Sequence, residues 1–580
     1  MQEARTFPSY RPVPTAGNRA LPEPEPVTAP AALAPEAELP PLGVIVYNRA
    51  AFGPAPGDLA AFQALGPDDE SRLAAWVDAQ LAPDPNDAHD TGYWQRRQGL
   101  AGFPHPHLDH LGLTLQQLWQ TFRNHPNSAG RPAEEARLDT FTRMVASRWQ
   151  LREVLVDFWM NHLNVHAYES YTRETFIHWN RDVIRAHVFG NFRALLEASA
   201  QSTPMLYYLD NYTNTRQGPN ENYARELVEL HSLGAGNYLG VMNPASVPAA
   251  GTWPAGSPLA GQPAPAGYCD NDVYEISRCL TGWGVDTATG LFLYTDGNHD
   301  RFSKSVLNFG LLNVPADQEG LADGRYVLDL LASHPGTGRH LAEGLCRRLV
   351  ADDPPPALVA EVAAGLTADW QLPDQLARAV RTILLSEAFR TTWGEKVKRP
   401  VEFVVSALRL FTRPDWLFGF TDWDPDDGDG YEVESDTASL FSRLSRAGQM
   451  LFGRITPDGY PDRKQEWLGS NTRVQCWRLA GWLVEQRDEA NPDPDAYRLD
   501  VLAATAALPA GQRSPNAIAD YWIARVFGRA LDPAVRAQVV SFLAQGANPA
   551  TDLNLTNSAV KSRLRSMVAL LLMTPEFLYR

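Results

Sequence analysis

One stretch decides how the fold of this chain is interpreted: Pro219-Asn220-Glu221-Asn222-Tyr223-Ala224-Arg225-Glu226-Leu227-Val228-Glu229-Leu230-His231. Its apolar residues recur at helical spacing, and an asparagine after the proline is a favoured helix cap. The same stretch concentrates carboxylates, amides, an arginine and a histidine, which is more polarity than an ordinary core helix carries. It predicts a helix, and on that helix a candidate site.

Helical periodicity extends outward from this stretch over most of the chain. Apolar residues recur at helical spacing in residues 115–122, 133–162, 173–200 and 560–572, among others. Strand patterns are scarce, the clearest being Val241-Met242 and Leu291-Phe292-Leu293-Tyr294. We therefore expect a mainly α fold, a large single helical assembly with at most a small β-hairpin and long loops.

Composition divides the chain into a short arm and one large domain. Residues 1–42 are rich in Pro and Ala and lack a sustained apolar period, which predicts a flexible arm. Residues 43–580 form the predicted helical domain, with loop insertions near 236–267 and 414–436. The second insertion is acidic, but its spacing does not match an EF-hand calcium loop.

Charge and hydropathy exclude two classes of protein. The 580 residues carry a formal net charge of -17, which argues against a nucleic-acid partner because phosphate neutralisation needs clustered Lys and Arg. No window approaches the apolar run of a transmembrane segment.

The N-terminus shows no signal peptide, so a cytoplasmic chain and a processed, exported chain both stay open. The four cysteines are expected to be buried thiols, with a disulfide between Cys269 and Cys279 as the alternative.

The helix quoted above supplies the first group of candidate catalytic residues. Helical geometry places Asn222, Glu226 and Glu229 within one turn of each other and pairs Arg225 with Glu229 at i,i+4. Glu226, Glu229 and Arg225 are therefore candidates for acid–base chemistry, with His231 on another face. The alternative is a structural network in which the arginine neutralises a carboxylate and the amides cap the helix.

A second helix is predicted over Asp157-Phe158-Trp159-Met160-Asn161-His162-Leu163-Asn164-Val165-His166. His162 and His166 are four residues apart, so one helical face could present both to a metal, with Glu226 as a further ligand. Leu163 occupies the place of the glutamate in the H-E-x-x-H motif, which disfavours a zinc protease of that type. His166 capping the helix C-terminus is the alternative.

The third candidate group, His299, Asp300 and Lys304, lies in a loop after the predicted hairpin. A histidine beside an aspartate often serves only a turn. Together with His162 and Glu226, however, this pair could complete a nitrogen and oxygen metal site or an acid–base centre. A divalent metal ion is thus the candidate cofactor. The chain has no phosphate-binding loop, no nucleophile elbow and no dinucleotide fingerprint in the required context.

The chain resembles the bacterial family catalogued as domain of unknown function 1800 from about residue 48 to near its C-terminus. The resemblance rests on Asn48-Arg49-Ala50-Ala51-Phe52-Gly53-Pro54, Phe158-Trp159-Met160-Asn161-His162, residues 220–234, Leu280-Thr281-Gly282-Trp283, His299-Asp300, His334-Pro335-Gly336-Thr337 and Lys398-Arg399-Pro400-Val401-Glu402-Phe403. Met160 stands where the family usually has a second histidine. The resemblance implies a periplasmic or cell-surface protein, and genomic association implies an exported sulfatase-like partner.

Two function hypotheses follow. The first is a metal- or carboxylate-dependent enzyme of the bacterial envelope that acts on a polysaccharide or another polymer, or on its fragments, and it predicts that the candidate residues converge in a pocket. The second is a non-enzymatic cell-surface scaffold or binding protein, and it predicts that the same residues are buried and mutually satisfied.

Overall fold

Helices make up most of the regular structure in the computed structural model, which describes residues 39–84, 108–125, 128–411, 435–487 and 497–580. The helices of the first half are Leu42–Arg49, Asp58–Gln63, Asp69–Leu81, Leu115–Phe122, Arg131–Ala146, Gln150–His162, Thr172–His178, Phe192–Ala200, Thr203–Tyr208, Glu221–Glu226 and Asp270–Cys279. Those of the second half are Ala322–Ser333, Pro335–Leu349, Pro356–Ala368, Gln375–Leu385, Glu387–Thr391, Pro400–Arg409, Ser435–Arg446, Lys464–Trp467, Ser470–Glu485, Val501–Ala506, Pro515–Phe527, Pro533–Ala544, Ser558–Leu572 and Pro575–Leu578. The predicted mainly α fold class is confirmed.

Two helical segments have the wider π-helical geometry, Trp179–Arg185 and Leu227–His231. The helix predicted over 173–200 contains the first of these segments and is divided by a turn at residues 188–191, so that prediction was wrong in its continuity. The helix predicted over 133–162 is also divided, because the chain leaves helical geometry at residues 147–149. Periodicity located these helices, but tertiary packing set where each one breaks.

Two small antiparallel sheets accompany the helices in the described residues. Ala249–Thr252 pairs with Pro263–Pro265 inside the predicted insertion near 236–267, and Trp283–Val285 pairs with Phe292–Tyr294. The strand predicted at Leu291–Tyr294 is therefore confirmed in position. The strand predicted at Val241-Met242 is wrong, since Val241 is 88% exposed and unpaired in the sheets.

A contiguous hydrophobic core runs through the described helices of residues 40–580, which form one compact unit. The predicted arm lies outside the described residues up to residue 38, and the insertion near 414–436 lies outside them up to residue 434. Leu42 already begins a buried helix, so the boundary predicted after residue 42 falls too late. None of the described helices is long and apolar enough to cross a membrane.

All four cysteines are buried and free, as the favoured prediction had it. Cys269 caps the N-terminus of the helix that ends at Cys279. A helix rises about 1.5 Å per residue, so the two thiols lie at opposite ends of this helix and too far apart for the disulfide alternative.

A buried ion cluster joins the middle of the chain to its C-terminus. Glu402 accepts hydrogen bonds from Arg348 at 2.5 Å, Arg580 at 2.9 Å and Arg399 at 3.2 Å. Asp157 pairs with Arg348 and Arg399 on the other side. Burial alone would raise the pKa of Glu402, but the three guanidinium groups outweigh burial and hold that pKa well below its usual value. The Lys-Arg-Pro-Val-Glu-Phe motif therefore holds the fold together.

Candidate active site

The carboxylate-rich stretch begins as an α-helix and ends as a π-helix. The side-chain oxygen of Asn220 accepts a hydrogen bond from the backbone N–H of Asn222 at 3.0 Å and caps the helix Glu221–Glu226. The chain then widens into the π-helix Leu227–His231. Such π-turns are rare and are frequent at functional sites, which makes this junction the centre of the candidate site.

Glu226 and Glu229 stand on either side of that junction, and both are half-buried. Neither carboxylate has a hydrogen bond or ion pair with any residue in the described part of the chain. Burial raises the pKa of Glu226, and the charge of Glu229 raises it further; the charge of Arg225 opposes them, while that of Asp458 adds to them. A carboxyl with a raised pKa beside a second carboxylate is an arrangement that acid–base catalysis uses.

Arg225 does not form the predicted pair with Glu229. Its guanidinium donates to Glu221 at 3.2 Å and to Asp270 at 3.4 Å. Asp270 lies at the start of a neighbouring helix that packs against this one and also accepts the Tyr238 hydroxyl at 2.8 Å. The prediction failed because the helix widens after residue 226, so ideal i,i+4 geometry does not extend to Glu229.

Asp458 comes to the site on a loop that two asparagines hold in place. Asn164 donates to two backbone carbonyls of the loop 454–460, at 3.1 and 2.8 Å, and Asn161 accepts a loop N–H at 3.0 Å. Asn161 belongs to the Phe-Trp-Met-Asn-His motif, so this motif positions a carboxylate near Glu226. Asp458 also pairs with Arg454 of the same loop at 2.7 Å.

Three histidines surround the end of the π-helix. The Nε2 of His162 donates to the backbone carbonyl of His231 at 3.0 Å, and the Nε2 of His340 donates to that of Leu230 at 3.1 Å. Burial lowers the pKa of both His162 and His231 to about 3 and also lowers that of His340. These imidazoles are neutral near pH 7, and two of them satisfy carbonyls that the helix end leaves without a helical partner.

Gly234 completes this arrangement. Its φ of +91° lies in the left-handed region, and a Cβ at this position would stand 2.6 Å from the Nδ1 of His340. Only glycine combines that conformation with so close an approach. The Asn220-to-Gly234 block of the sequence is thus a single structural unit.

His166 does not lie on the helix that carries His162. That helix ends at His162, since Leu163 has φ -108° and ψ 46°, and the chain continues towards the loop that contains Asp458. The predicted helix through His166 is therefore wrong, as is its role as a C-terminal cap. The His166 ring lies against Tyr168, with 5.9 Å between ring centroids. In the described ranges no three or more His, Cys, Asp or Glu side chains are grouped to hold a metal ion, and metal ligation by His162, His166 and Glu226 stays a prediction.

His299 and Asp300 lie in a buried network of their own. The Nδ1 of His299 donates to the backbone carbonyl of Thr281 at 2.9 Å, and its Nε2 lies 3.2 Å from Asp323. Asp300 pairs with Arg278 at 2.8 Å. In the same network the Lys304 ammonium donates to Asp323 at 2.6 Å. Glu226 and His162 contribute no hydrogen bond to this network among the described residues, so the structure does not join the two groups into one site.

Sequence analysis missed Asp458, His340 and Tyr208. Tyr208 donates its hydroxyl to the backbone carbonyl of Ile455 at 2.6 Å; burial raises its pKa, and the charges of Asp458 and Glu226 contribute. These residues come from segments far apart in the chain. Only His340 had a local signal, because it lies six residues after the His334 that opens the His-Pro-Gly-Thr motif.

A family model described as "Protein of unknown function (DUF1800)" matches residues 45–579. No curated protein and no solved structure matches the chain.

Proposed function

The chain belongs to the DUF1800 family, and from the geometry of this member we propose a carboxylate-dependent enzyme in which Glu226 and Glu229 act on a polymer or its fragments. Glu226 serves as the proton donor and acceptor, and Glu229 as the neighbouring charge that tunes it. The bacterial envelope and an exported sulfatase-like partner remain predictions of the family resemblance.

The observation that carries the proposal is the unpaired state of the two glutamates. A carboxylate that serves to hold a fold together does so through a hydrogen bond or an ion pair. Glu226 and Glu229 have neither kind of partner in the described residues, and the charge of Glu229 raises the cost of ionising Glu226. Such an arrangement costs stability, which is typical of groups retained for chemistry. A carboxyl with a raised pKa stays protonated closer to neutral pH and can protonate a leaving group.

A divalent cation is the other use to which the same pair could be put, since carboxylate oxygens are preferred ligands of hard cations. His162 has only its Nδ1 left for a metal, because its Nε2 is bonded to the His231 carbonyl. His166 lies beyond the helix end. We therefore place catalysis on the glutamates, and sensitivity to chelation decides between proton transfer and a bound cation.

A scaffold or binding role is the second candidate, and the network around His299 favours it. His299, Asp300 and Lys304 are buried and bonded to neighbouring groups, as that hypothesis predicted. This network accounts for one of the three candidate groups without any chemistry. It offers no explanation for Glu226, for which the described ranges contain no bonded partner that a scaffold could use.

The test compares product release by the wild type with release by Glu226→Gln and Glu229→Gln. Reducing ends are measured after incubation with a panel of neutral and acidic polysaccharides, with and without EDTA. Glu343→Gln is the matched control, because Glu343 pairs with Arg339 on the surface and has no other ion pair among the residues that the structure describes. We expect each active-site variant to lose roughly 10²- to 10⁴-fold in rate while the control keeps full activity.

Equal rates in Glu226→Gln and the wild type would overturn the catalytic role of Glu226. No product from any polymer, with folded protein, would favour the scaffold. Loss of wild-type activity in EDTA would move the mechanism to a carboxylate-bound cation.

A further inference from the structure

A cavity of about 420 Å³ shares the helix Thr203–Tyr208 with the surroundings of the candidate active site and has no role in the chemistry described so far. Three tyrosines line it, Tyr171, Tyr207 and Tyr212, next to the hairpin that carries Trp283. A cavity of this size falls in the range of small-molecule and cofactor sites, about 300–1,000 Å³. Its walls combine aromatic rings with polar groups that make no bond within the described part of the chain, as a ligand site does.

The three tyrosines form one continuous aromatic row. The Tyr171 and Tyr207 ring centroids are 4.6 Å apart at 29°, and those of Tyr207 and Tyr212 are 4.5 Å apart at 45°. Trp119 stacks behind Tyr207 at 6.0 Å and fixes its position. Tyr171 has a φ of 68°, a left-handed conformation that is strained for a bulky residue. Strain of this kind concentrates at binding and catalytic sites.

Polar groups in the cavity wall are free to bind a ligand. The hydroxyls of Tyr171, Tyr207 and Tyr212 and the side-chain amide of Asn298 make no hydrogen bond to any other described residue. Arg123 is the one charged residue among the described residues that line the cavity. Its guanidinium lies 5.1 Å from the ring centroid of Trp119 and has no carboxylate partner in the described ranges.

We propose that this cavity binds a ring of an acidic oligosaccharide, whose apolar face stacks on the tyrosine row and whose anionic group pairs with Arg123. Aromatic rings offer flat apolar faces for stacking, and a guanidinium matches a carboxylate, sulfate or phosphate. A single arginine suits one acidic group per ring better than the several phosphates of a nucleotide. The hydroxyls and the Asn298 amide are available to bond the sugar hydroxyls.

One helix connects the cavity with the surroundings of the carboxylate pair. The inference therefore rests on the proposed function and names its substrate class. Tyr207 lines the cavity, and the next residue, Tyr208, lies near Glu226 and Asp458, whose charges contribute to its raised pKa. Both tyrosines belong to the helix Thr203–Tyr208. The same helix therefore borders both the tyrosine row and the loop of Asp458, and in this proposal the neighbouring units of the saccharide extend past it towards Glu226.

Isothermal titration calorimetry with two disaccharides tests the site. Digalacturonate is the acidic probe, and α-1,4-galactobiose is the neutral probe that lacks only the carboxylates. The variants are Arg123→Gln and Tyr212→Ala, with Arg339→Gln and Tyr274→Ala as controls. Tyr212 and Tyr274 are equally exposed, at 43% each, so neither change disturbs the core.

We expect Arg123→Gln to raise the Kd for digalacturonate at least about tenfold, as loss of a charge-assisted hydrogen bond does, and to leave galactobiose unchanged. Tyr212→Ala weakens both probes, and the controls weaken neither. Equal affinity of wild type for both probes, or no binding of digalacturonate to folded wild type, overturns the proposal.

Glu226→Gln separates this site from the proposed function. The variant should bind digalacturonate as the wild type does. Binding without any turnover by the wild type would refute the enzyme and leave the saccharide site standing. If Arg123→Gln and Tyr212→Ala both leave turnover unchanged, the saccharide site is refuted and the enzyme stands.

Discussion

The charge of Glu229 raises the pKa of Glu226 across the point where an α-helix becomes a π-helix. Neither carboxylate is neutralised by a bonded partner in the described residues. The folded state therefore favours the protonated form of Glu226 more than the unfolded chain does. Below the ordinary glutamate pKa, Glu226 is protonated in both the folded and the unfolded state, so it does not lower the free energy of unfolding. As the pH rises through its raised pKa, ionisation in the folded state costs stability.

Glu226→Gln should consequently stabilise the protein at pH 7 and have little effect at pH 4. The amide keeps the shape of the side chain and removes the repulsion with Glu229 and Asp458. Urea denaturation at both pH values measures the change in the free energy of unfolding, with Glu343→Gln as the surface control. Destabilisation at pH 7 would show that Glu226 has a stabilising partner and would favour the scaffold.

Gly234→Ala should destabilise the protein by more than the roughly 1–2 kcal/mol that a left-handed backbone costs an alanine. Gly240 is the reference position, because it also has a positive φ, +82°, but a Cβ there meets nothing within 4 Å. Gly240→Ala should cost only the backbone term, while Gly234→Ala adds the clash with His340. Equal midpoints of urea unfolding for the two variants would contradict the contact.

Glu402→Gln should cost roughly 3–5 kcal/mol of unfolding free energy, since it leaves buried guanidinium groups uncompensated. The guanidinium groups that lose this counter-charge are Arg348, Arg399 and Arg580; Arg348 and Arg399 still pair with Asp157. Because the pKa of Glu402 is depressed, the stability it confers is present above the ordinary glutamate pKa and is lost as the pH falls through its folded value. Chemical denaturation at pH 7 measures the cost, and a change below about 1 kcal/mol, as for a surface pair, would contradict this account.

Stability should decline as the pH falls from the ordinary histidine pKa of about 6.5 towards the folded pKa of about 3 for His162 and His231. Unfolded histidines bind protons in this window and folded ones do not, so each contributes up to about 1.4 kcal/mol per pH unit. His340→Gln keeps a donor for the Leu230 carbonyl and removes one titrating group, which should reduce the slope. His187→Gln, outside the cluster, is the control. Unfolding midpoints measured from pH 7 to 4 test this prediction. If stability depends on pH as steeply in His340→Gln as in the wild type, the His340 ring is not neutral and buried.

Elemental analysis of the purified protein tests the metal hypothesis. Because the Nε2 of His162 is bonded to the His231 carbonyl, we expect no near-stoichiometric metal that disappears in a Glu226→Ala/His162→Ala double variant. Inductively coupled plasma mass spectrometry of wild type and variant, with circular dichroism to verify folding, makes the comparison. Metal present in the wild type and lost from a folded variant would establish the site predicted from the sequence.

Local patterns were enough to predict the fold class and much of the candidate site. Helix Leu115–Phe122 occurs as predicted, because apolar spacing and capping residues are properties of adjacent positions. Glu226 and Glu229 were identified for the same reason. The break at residue 147 and the helix end at His162 were not predicted, since packing against distant loops overrides a continuous local pattern.

The partners of each side chain depended on contacts between distant segments. Asp458 lies 232 positions after Glu226 in the numbering, and hydrogen bonds with Asn161, Asn164 and Tyr208 hold its loop at the site. Arg225 bonds to Asp270 rather than to Glu229 because a π-turn alters the helix, whereas the prediction from sequence spacing required a regular α-helix. Periodicity and composition are properties of the linear sequence. Burial, charge pairing and pKa depend instead on which segments the folded core brings together.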